Sequence, residues 1–419
     1  MIEPVVTFYI ADEASVQIPD NYIRSFKLYA SIFSSIPGAE IILSDPEGKF
    51  LANLAIKPGN AITMLAAPGG SVEAPSILQM TPLRVVGAHN PGVFTSGEEP
   101  VALGSLGGEF RIELAHPWAI QSDWSNHAYR KKSSEIIRDL IATGDQNRGF
   151  AFPSVTISES DDKGNVTRYK IAESEARFIH QKILPYATID NQAAYSFVDE
   201  LGGFHFRSFV EMYSQAPKAT ILPPLSDSIA TGLHDPNSKV PELYLYDGAW
   251  WLGRKFLEQL GKFKKVLYAE DTHPDVSRSF VAKLPYKSVI PGYTLMKKDF
   301  IDNIVSGTDA TVFPFRSFED VTRLNTNNNA VMNEYFEVSV SVDFAADVAT
   351  VGSTVQLKLA GDNPTKEHWL NGKWLVIASE HSQHVDQLRY YSKYLLARPA
   401  IDRLPDSIDS AGLYNASMR

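Results

Sequence analysis

Residues 194–209 read AYSFVDELGGFHFRSF. Tyr195 and Phe197 lead into Gly202-Gly203, and Phe204 and Phe206 lead out, a pattern that predicts a β-hairpin closed by a glycine turn. Immediately upstream, ESEARFIHQKILP (173–185) predicts a helix capped by Ser174 and ended near Pro185, with Phe178, Ile179 and Ile183 as its buried face. Further upstream, SSEIIRDLI (133–141) sets Ile136, Ile137, Leu140 and Ile141 on one helical face, with Ser133 or Ser134 as N-cap. A turn-rich stretch around Asp161, Asp162, Lys163 and Gly164 separates the two helices. Helix followed by hairpin defines an α+β block, assigned to residues 119–215.

Both flanks of that block have the period of strands. In RSFKLYASI (24–32), Phe26, Leu28, Ala30 and Ile32 alternate with polar or outward residues. Further runs begin at Ile41, Ala61, Leu83 and Glu109, with Gly and Pro between them, so residues 1–118 predict a small antiparallel barrel or sandwich. Downstream, YFEVSVSVDF (335–344) turns Phe336, Val338, Val340, Val342 and Phe344 one way and Glu337, Ser339, Ser341 and Asp343 the other. Val355, Leu357 and Leu359 repeat the alternation, and KWLVIASE and QLRYYSKYLLA add strands, so residues 333–402 predict a second β-meander or barrel. Residues 216–332 hold a Pro-, Ser- and Asp-rich surface connection with one short strand, then a second α/β segment. Within that segment GAWWLGRKFLEQLGKF (248–263) predicts an amphipathic helix carrying Trp250, Trp251, Phe256, Leu257 and Leu260, and NTNNNA near Asn327 a polar loop. Residues 403–419 are expected to form a C-terminal tail. KPGNAITMLA from Lys57 and TVGSTVQLKLA from Thr350 each place a glycine, Gly59 or Gly352, ahead of a strand, an echo compatible with duplication or with chance.

The 419 residues suffice for two to four domains of about 150 residues each. Lys+Arg total 39 against 49 Asp+Glu, a net charge of −10, opposite in sign to a dedicated nucleic-acid binder. With no cysteine, disulfide frameworks, thiolate metal sites and cysteine nucleophiles are all excluded. The N-terminus lacks the basic and apolar regions of a secretory signal, and no run approaches the ~18 apolar residues of a membrane span, so the chain is expected to be made in the cytosol. Aromatic residues, 11% of the chain, favour strands and extensive interfaces.

No phosphate loop, dinucleotide fingerprint, HExxH or GxSxG elbow is present. The glycine cluster at Gly104 lacks phosphate-loop spacing and reads as a turn. His381 and His384 could share a metal with Glu380 if EHSQH is a turn, but not if it continues a strand, where an i, i+3 pair faces opposite ways. Asp161 with Asp162, and Glu173 with Glu175, could act as acid/base pairs; the latter pair is better explained as first-turn acids at the positive end of a helix dipole. Arg130-Lys131-Lys132 and Lys262, Lys264 and Lys265 could contact phosphate, yet read better as solvated helix faces. Trp250-Trp251 could stack on sugar rings or anchor a core or interface. No residue is assigned as catalytic, cofactor-binding or metal-binding, no cofactor is implied, and no enzymatic role is expected.

The order barrel, helix-hairpin block, barrel resembles the baseplate hub proteins of contractile-tailed bacteriophages, related to the hub half of VgrG proteins in type VI secretion. The resemblance is carried by residues 169–209, where a helix bearing Glu175, Phe178 and Ile179 precedes the pattern F-x-D-x-x-G-x-F-x-F at Phe197, Asp199, Gly202, Phe204 and Phe206. A second stretch, from Asn371, matches at Gly372, Trp374, Val376 and His381. The resemblance implies an α+β fold with two small antiparallel, tail-tube-like β-barrels and α+β domains inserted between them. It implies a homotrimer whose six barrels adapt a sixfold tail tube, or its initiator, to a threefold central spike carried on another polypeptide. Tape-measure and wedge proteins are further expected partners. DNA is expected only in transit, with the protein in the virion baseplate after assembly in the host cytoplasm. Strands 335–344 and 388–397 are expected to pair or pack at subunit boundaries instead of remaining exposed edges. The competing expectation is a glycan-acting hydrolase or a carbohydrate-binding tail protein.

Overall fold

The computed structural model describes residues 5–11, 15–18, 22–45, 61–67, 78–79, 83–89, 108–119, 122, 124–148, 151–164, 167–190, 192–252, 265–270, 273–280, 310–313, 336–343, 345, 348–360, 368–384 and 389–398. The chain begins with β1 (Val5–Ala11), β2 (Ser15–Ile18), β3 (Ile23–Ser31), β4 (Gly38–Asp45), β5 (Ala61–Ala67), β6 (Leu78–Gln79), β7 (Leu83–His89) and β8 (Gly108–Ala115). These strands pair antiparallel in the order β2-β1-β5-β7-β8-β4-β3, with β6 beside β5. The alternation expected around Phe26 is observed: Phe26, Leu28, Ala30 and Ile32 are buried, while Tyr29 is exposed.

The middle block follows with β9 (His127–Tyr129), helix α1 (Ser133–Arg148), β10 (Val155–Ile157), β11 (Arg168–Lys170), α2 (Glu175–Phe178), β12 (Thr188–Ile189), β13 (Gln192–Val198), β14 (Phe204–Ser208) and α3 (Phe209–Ser214). Helix α2 widens to a π-type turn over Ile179–Ile183 and tightens to a 3-10 turn over Leu184–Tyr186, where Pro185 sits. Ser174 caps α2 as expected, its hydroxyl accepting the Arg177 N–H. Phe178, Ile179 and Ile183 are fully buried, packed with Ile136, Ile137, Leu140 and Ile141 of α1 and with Phe204 and Phe206 of the hairpin.

The remaining elements are β15 (Ala219–Leu222), α4 (Leu225–Ala230), β16 (Glu242–Leu252), a separate three-stranded sheet of β17 (Lys265–Glu270), β18 (His273–Phe280) and β19 (Ala310–Phe313), then β20 (Phe336–Asp343), β21 (Thr354–Leu357), β22 (Gly372–His384) and β23 (Arg389–Arg398). Six strands close a barrel in the cycle β22-β21-β15-β16-β20-β23-β22. Val338, Val340, Val342, Val355, Leu357, Tyr394 and Leu396 are buried in one common core. Burying each such aliphatic side chain contributes about 1.5–3 kcal/mol. The fold class is therefore the α+β, β-barrel architecture anticipated.

Strand β22 belongs to two sheets. Along one edge it pairs with β23 from Leu375 to His384, apart from a bulge between Val376 and Ala378. Along the other, residues 372–375 face β21 and residues 378–384 face β3. The bulge turns the Ile377 carbonyl to accept the Ile32 N–H at 3.0 Å and the Ser31 hydroxyl at 3.2 Å. The N-terminal sheet and the barrel are thus hydrogen-bonded into one continuous surface.

The hairpin β13–β14 fills the space beside that junction. Ala193, Tyr195 and Phe197 enter the barrel core, while Ala194 and Val198 enter the core of the middle block. Strand β13 is therefore buried on both faces. Val198 N–H also reaches the Ser35 carbonyl beyond β3, at 3.1 Å.

Four expectations need correction. The first N–H groups of α1 are satisfied from afar rather than by Ser133 or Ser134: Ser133 N–H donates to both Asp162 carboxylate oxygens, at 2.9 and 3.0 Å, and Ser134 N–H to Ser160 Oγ, at 3.0 Å. Residues 248–252 are strand, not helix, because the run from Leu245 to Leu252 pairs with β20 from Val342 back to Phe336; residues 253–264 lie outside the described residues. The barrel is not wholly antiparallel: β15 runs parallel to both β16 and β21, the 19 residues after it forming the return crossover. Finally, β20 and β23 pair with each other and each has a second neighbour within the chain, so their described residues are not open to pairing, as distinct from packing, at a subunit boundary.

Gly352 fixes how closely hairpin and barrel approach. Its φ is +80°, and a Cβ there would stand 2.5 Å from Phe197 Cζ. Its partner in the sequence echo, Gly59, lies outside the described residues. Gly352→Ala is expected to cost about 2–4 kcal/mol in urea unfolding, from left-handed strain plus overpacking, with part recovered when Phe197→Leu is added.

Candidate functional site

The tip of the hairpin is built around Asp199. Its Oδ1 accepts N–H groups of Leu201, at 3.0 Å, and Gly203, at 2.7 Å, while Oδ2 lies 2.8 Å from His205 Nε2. Gly202 supplies the positive φ of 82° that the reversal needs. The F-x-D-x-x-G-x-F-x-F pattern thus encodes a turn: a carboxylate that binds its own backbone, a glycine that reverses the chain, and aromatic residues that seat both strands.

That turn projects Glu200 into the barrel. Its carboxylate accepts the Val351 N–H, at 3.0 Å to Oε2, and the Ser379 hydroxyl, and lies 3.6 Å from His381 Nε2. His381 Nδ1 is 2.8 Å from Ser392 Oγ, which in turn accepts the Ala345 N–H at 2.9 Å. A hydroxyl, an imidazole and a carboxylate stand here in the order used by serine hydrolases. Ser392 and His381 have no exposed surface and Glu200 has 2%, while Ser379, at 4%, lines a surface cleft. The cluster joins the hairpin tip, the 345–351 loop, β22 and β23 through buried hydrogen bonds. Of its members only His381 stood among the sequence candidates; Glu200, Ser379 and Ser392 are unremarkable polar residues until the fold brings them together.

The other candidates separate in space. Asp162 caps α1 and faces Arg168 Nη2 at 3.5 Å, whereas Asp161 Oδ1 accepts the Asp190 N–H at 3.2 Å. Glu175 accepts the Trp118 indole N–H at 2.7 Å, at the first turn of α2. His381 and His384 lie in the one continuous strand β22, which removes the turn that a shared metal required. Among the described residues no cluster of three or more His, Asp or Glu could hold a metal. Gly104–Gly107, Lys262 and Lys264 fall outside the described residues, and Trp250 and Trp251 are placed only as positions on β16. Arg130 and Lys131 are exposed just before α1, Lys131 paired with Asp139 at 2.5 Å.

Two further features lie on the surface. A cleft of about 420 Å³ runs along the seam of β3 with the barrel, lined by Tyr29, Ser31, Glu337, Glu380 and Lys393. In the crossover, Glu242 binds His234 Nδ1 at 2.6 Å, the Asp235 N–H at 3.0 Å and the Tyr244 hydroxyl at 3.0 Å. Burial alone pushes the Glu242 carboxyl up, but these hydrogen bonds together outweigh it and hold the group below its ordinary value. Burial first, then the adjoining carboxylate, pushes Tyr244 up to about 12.

By sequence the chain matches no protein-family model and no curated protein. By structure it is similar to the tail protein of Neisseria meningitidis MC58, with a TM-score of 0.51 at 9% identity over 95% of this chain and 97% of that one. It is equally similar to the 43 kDa tail protein of prophage MuSo2 from Shewanella oneidensis, with a TM-score of 0.51 at 8% identity over 96% of this chain and 100% of that one. The fold is that of phage tail proteins. The likeness to these two tail proteins takes in nearly the whole of each chain. Among the described residues no helix is long and apolar enough to cross a membrane.

Two outcomes test the polar geometry. Glu200→Ala, which leaves the Val351 N–H and the Ser379 hydroxyl buried without their acceptor, is expected to cost about 2–4 kcal/mol in denaturant unfolding. Because the Glu242 carboxyl is lowered in the fold, its stabilisation is complete above its ordinary value of 4.5 and is lost as pH falls through the lower folded value. The protection of the Asp235 amide against hydrogen exchange, taken relative to the intrinsic rate at the same pH, should therefore fall on acidification in the wild type, and be low at every pH in Glu242→Ala.

Proposed function

We propose that this chain is a structural protein of a phage-type tail and acts as its baseplate hub. Three copies form a closed ring in which each contributes its N-terminal sheet and its barrel as two tube-like units, six around the axis. Such a ring meets a sixfold tail tube, or its initiator, on one side and a threefold central spike on the other, with wedge and tape-measure proteins as outer or axial partners. The observation that carries this reading is β22. By pairing with β21 and β23 in the barrel and with β3 in the N-terminal sheet, it holds two units of one chain at a fixed angle, and a ring closes only when the rotation per unit is fixed. The net charge of −10 suits a channel that DNA traverses without adhering, since adhesion depends on Lys and Arg displacing counterions. Assembly takes place in the host cytoplasm, and the finished protein resides in the virion baseplate.

The test is mass and shape in solution. Sedimentation equilibrium is expected to give three times the 46.4 kDa chain mass, and negative-stain images a ring with a central hole. A monomer at every concentration, with no ring formed on adding the spike and tube proteins of the same tail, overturns the proposal.

A further inference from the structure

Five strands of the N-terminal sheet and five of the barrel follow one plan. In chain order they are β3, β4, β5, β7, β8 and β16, β20, β21, β22, β23, and in space β5-β7-β8-β4-β3 corresponds to β21-β22-β23-β20-β16, every pair antiparallel. The irregularities coincide too. Strand β3 carries one extra residue, Arg24, against β4, as β16 carries Tyr246 against β20. Likewise β7 carries Val86 against β8, as β22 carries Ile377 against β23. Aligning these bulges sets Ala61 on Thr354, and therefore Gly59 on Gly352, the two glycines of the sequence echo. Bulges are inherited features of a fold, so two of them and a glycine in one common register mark a duplication. The correspondence ends at the next strand, since β1 is antiparallel to β5 while β15 is parallel to β21.

One joint of the repeat is made within the chain. Past its bulge β22 outruns β21, and residues 378–384 on that edge receive β3 antiparallel, with Tyr29 facing Glu380 and Ala30 facing Ser379. The equivalent edges are β7 and β16. Past its own bulge β7 outruns β5, which it meets only at Leu83 and Arg84, and among the described residues no strand lies along positions 87–89 on that side. Strand β16 meets β15 only at 242–244, and among the described residues no strand lies along 247–252 on that side, where Asp247 and Gly248 are exposed. Strand edges of this kind are ordinarily covered.

We propose that β16 of one copy of this chain adds antiparallel to β7 of the next, repeating between chains the joint that β3 makes with β22 within one. The register carries over: Trp251 faces His89 as Tyr29 faces Glu380, and Leu252 faces Ala88 as Ala30 faces Ser379. Each copy gives a different edge to each neighbour, the heterologous contact from which rings are built. The copy number, three, rests on the hub reading; the duplication specifies which strands meet. The boundary between subunits accordingly falls at β16 and β7 rather than at β20 and β23.

The chain has no cysteine, so introduced pairs report the register directly. Facing residues of an antiparallel pair stand about 4.5–5.5 Å apart at Cα, within disulfide range, whereas an offset of one residue sends the two side chains to opposite faces. The full-length His89→Cys/Trp251→Cys protein, oxidised with glutathione disulfide, is expected to run on denaturing gels mainly as a covalent trimer that dithiothreitol returns to monomer. Ala88→Cys/Trp251→Cys, offset by one, is expected to cross-link less by about tenfold or more. In the unsubstituted protein, hydrogen exchange at residues 87–89 and 247–252 is expected to slow as concentration is raised through trimer formation. A variant that sediments as a trimer without cross-linking in the facing pair, or equal cross-linking of both pairs, overturns the joint and leaves the hub reading standing. Where a cysteine pair itself prevents trimer formation, the exchange measurement decides, and an unsubstituted trimer without that protection overturns the joint. A monomer at every concentration, alone or with the tube and spike proteins of the same tail, overturns both.

Discussion

A β-strand buried on both faces has no solvent side on which to place a polar error, and β13 is such a strand. Its odd positions, Ala193, Tyr195 and Phe197, complete the barrel core, and its even positions Ala194 and Val198 complete the core of the middle block. Neither core is whole without it. Shifting its register by one residue would exchange Phe197 for Ser196 inside the barrel, so the two cores fix each other's position through a single element. Phe197 itself stacks on His205, whose Nε2 is fixed by Asp199, and abuts Gly352 across the junction. Turn, strand and barrel loop are consequently set by the same contacts.

The second consequence concerns β22. A bulge ordinarily weakens a ladder by leaving one residue unpaired, yet here the residue it frees is useful: Ile377 O binds β3 just where β21 gives out. On that edge the strand passes from one neighbour to the other without leaving a buried carbonyl unsatisfied. Glu200, reaching Val351 and Ser379 from the hairpin tip, reinforces this transition point from the inside. Apolar burial supplies most of the stabilisation at this junction, but it is non-directional and tolerates small slips. Buried hydrogen bonds have strict geometry, and a misplaced one leaves a desolvated group without a partner. The combination gives a joint that is both stable and singular in its angle.

How much of this was legible in the sequence depended on range. Periodicity is local, so the hairpin around Gly202, the faces of α1 and α2 and the alternation of β20 were all readable from a few residues each. Ser174 was readable as a cap for the same reason, since its acceptor role spans three residues. The cap of α1 was not, because Asp162 lies 29 residues from Ser133 and nothing near α1 marks it. Strand β16 was misread because Trp250, Trp251 and the residues after them fit a helical face, and the competing signal, pairing with β20, comes from residues nearly a hundred positions later. The Glu200 cluster was invisible for a related reason: its four side chains come from positions 200, 379, 381 and 392, and only the closed barrel makes them neighbours.

The misread elements share a feature that bears on how the molecule is organised. Asp162, β16 and Glu200 all act across segment boundaries, where local sequence preference is overruled by a partner far along the chain. The inverted strand β11 belongs with them, since Arg168 and Lys170 face inward only because Asp162 and the Ser125 carbonyl receive them. Once those long-range partners hold the charges, the alternate positions Tyr169 and Ile171 must face out, because a strand cannot bury both sides against a single layer. The exposed apolar face is thus coupled to the capping of α1 through Asp162: the carboxylate that orders the helix also turns β11 over. A change that freed Asp162 would disturb helix and surface together, so the middle block's outward chemistry depends on its inner hydrogen bonding in the same way that the angle between sheet and barrel depends on β22.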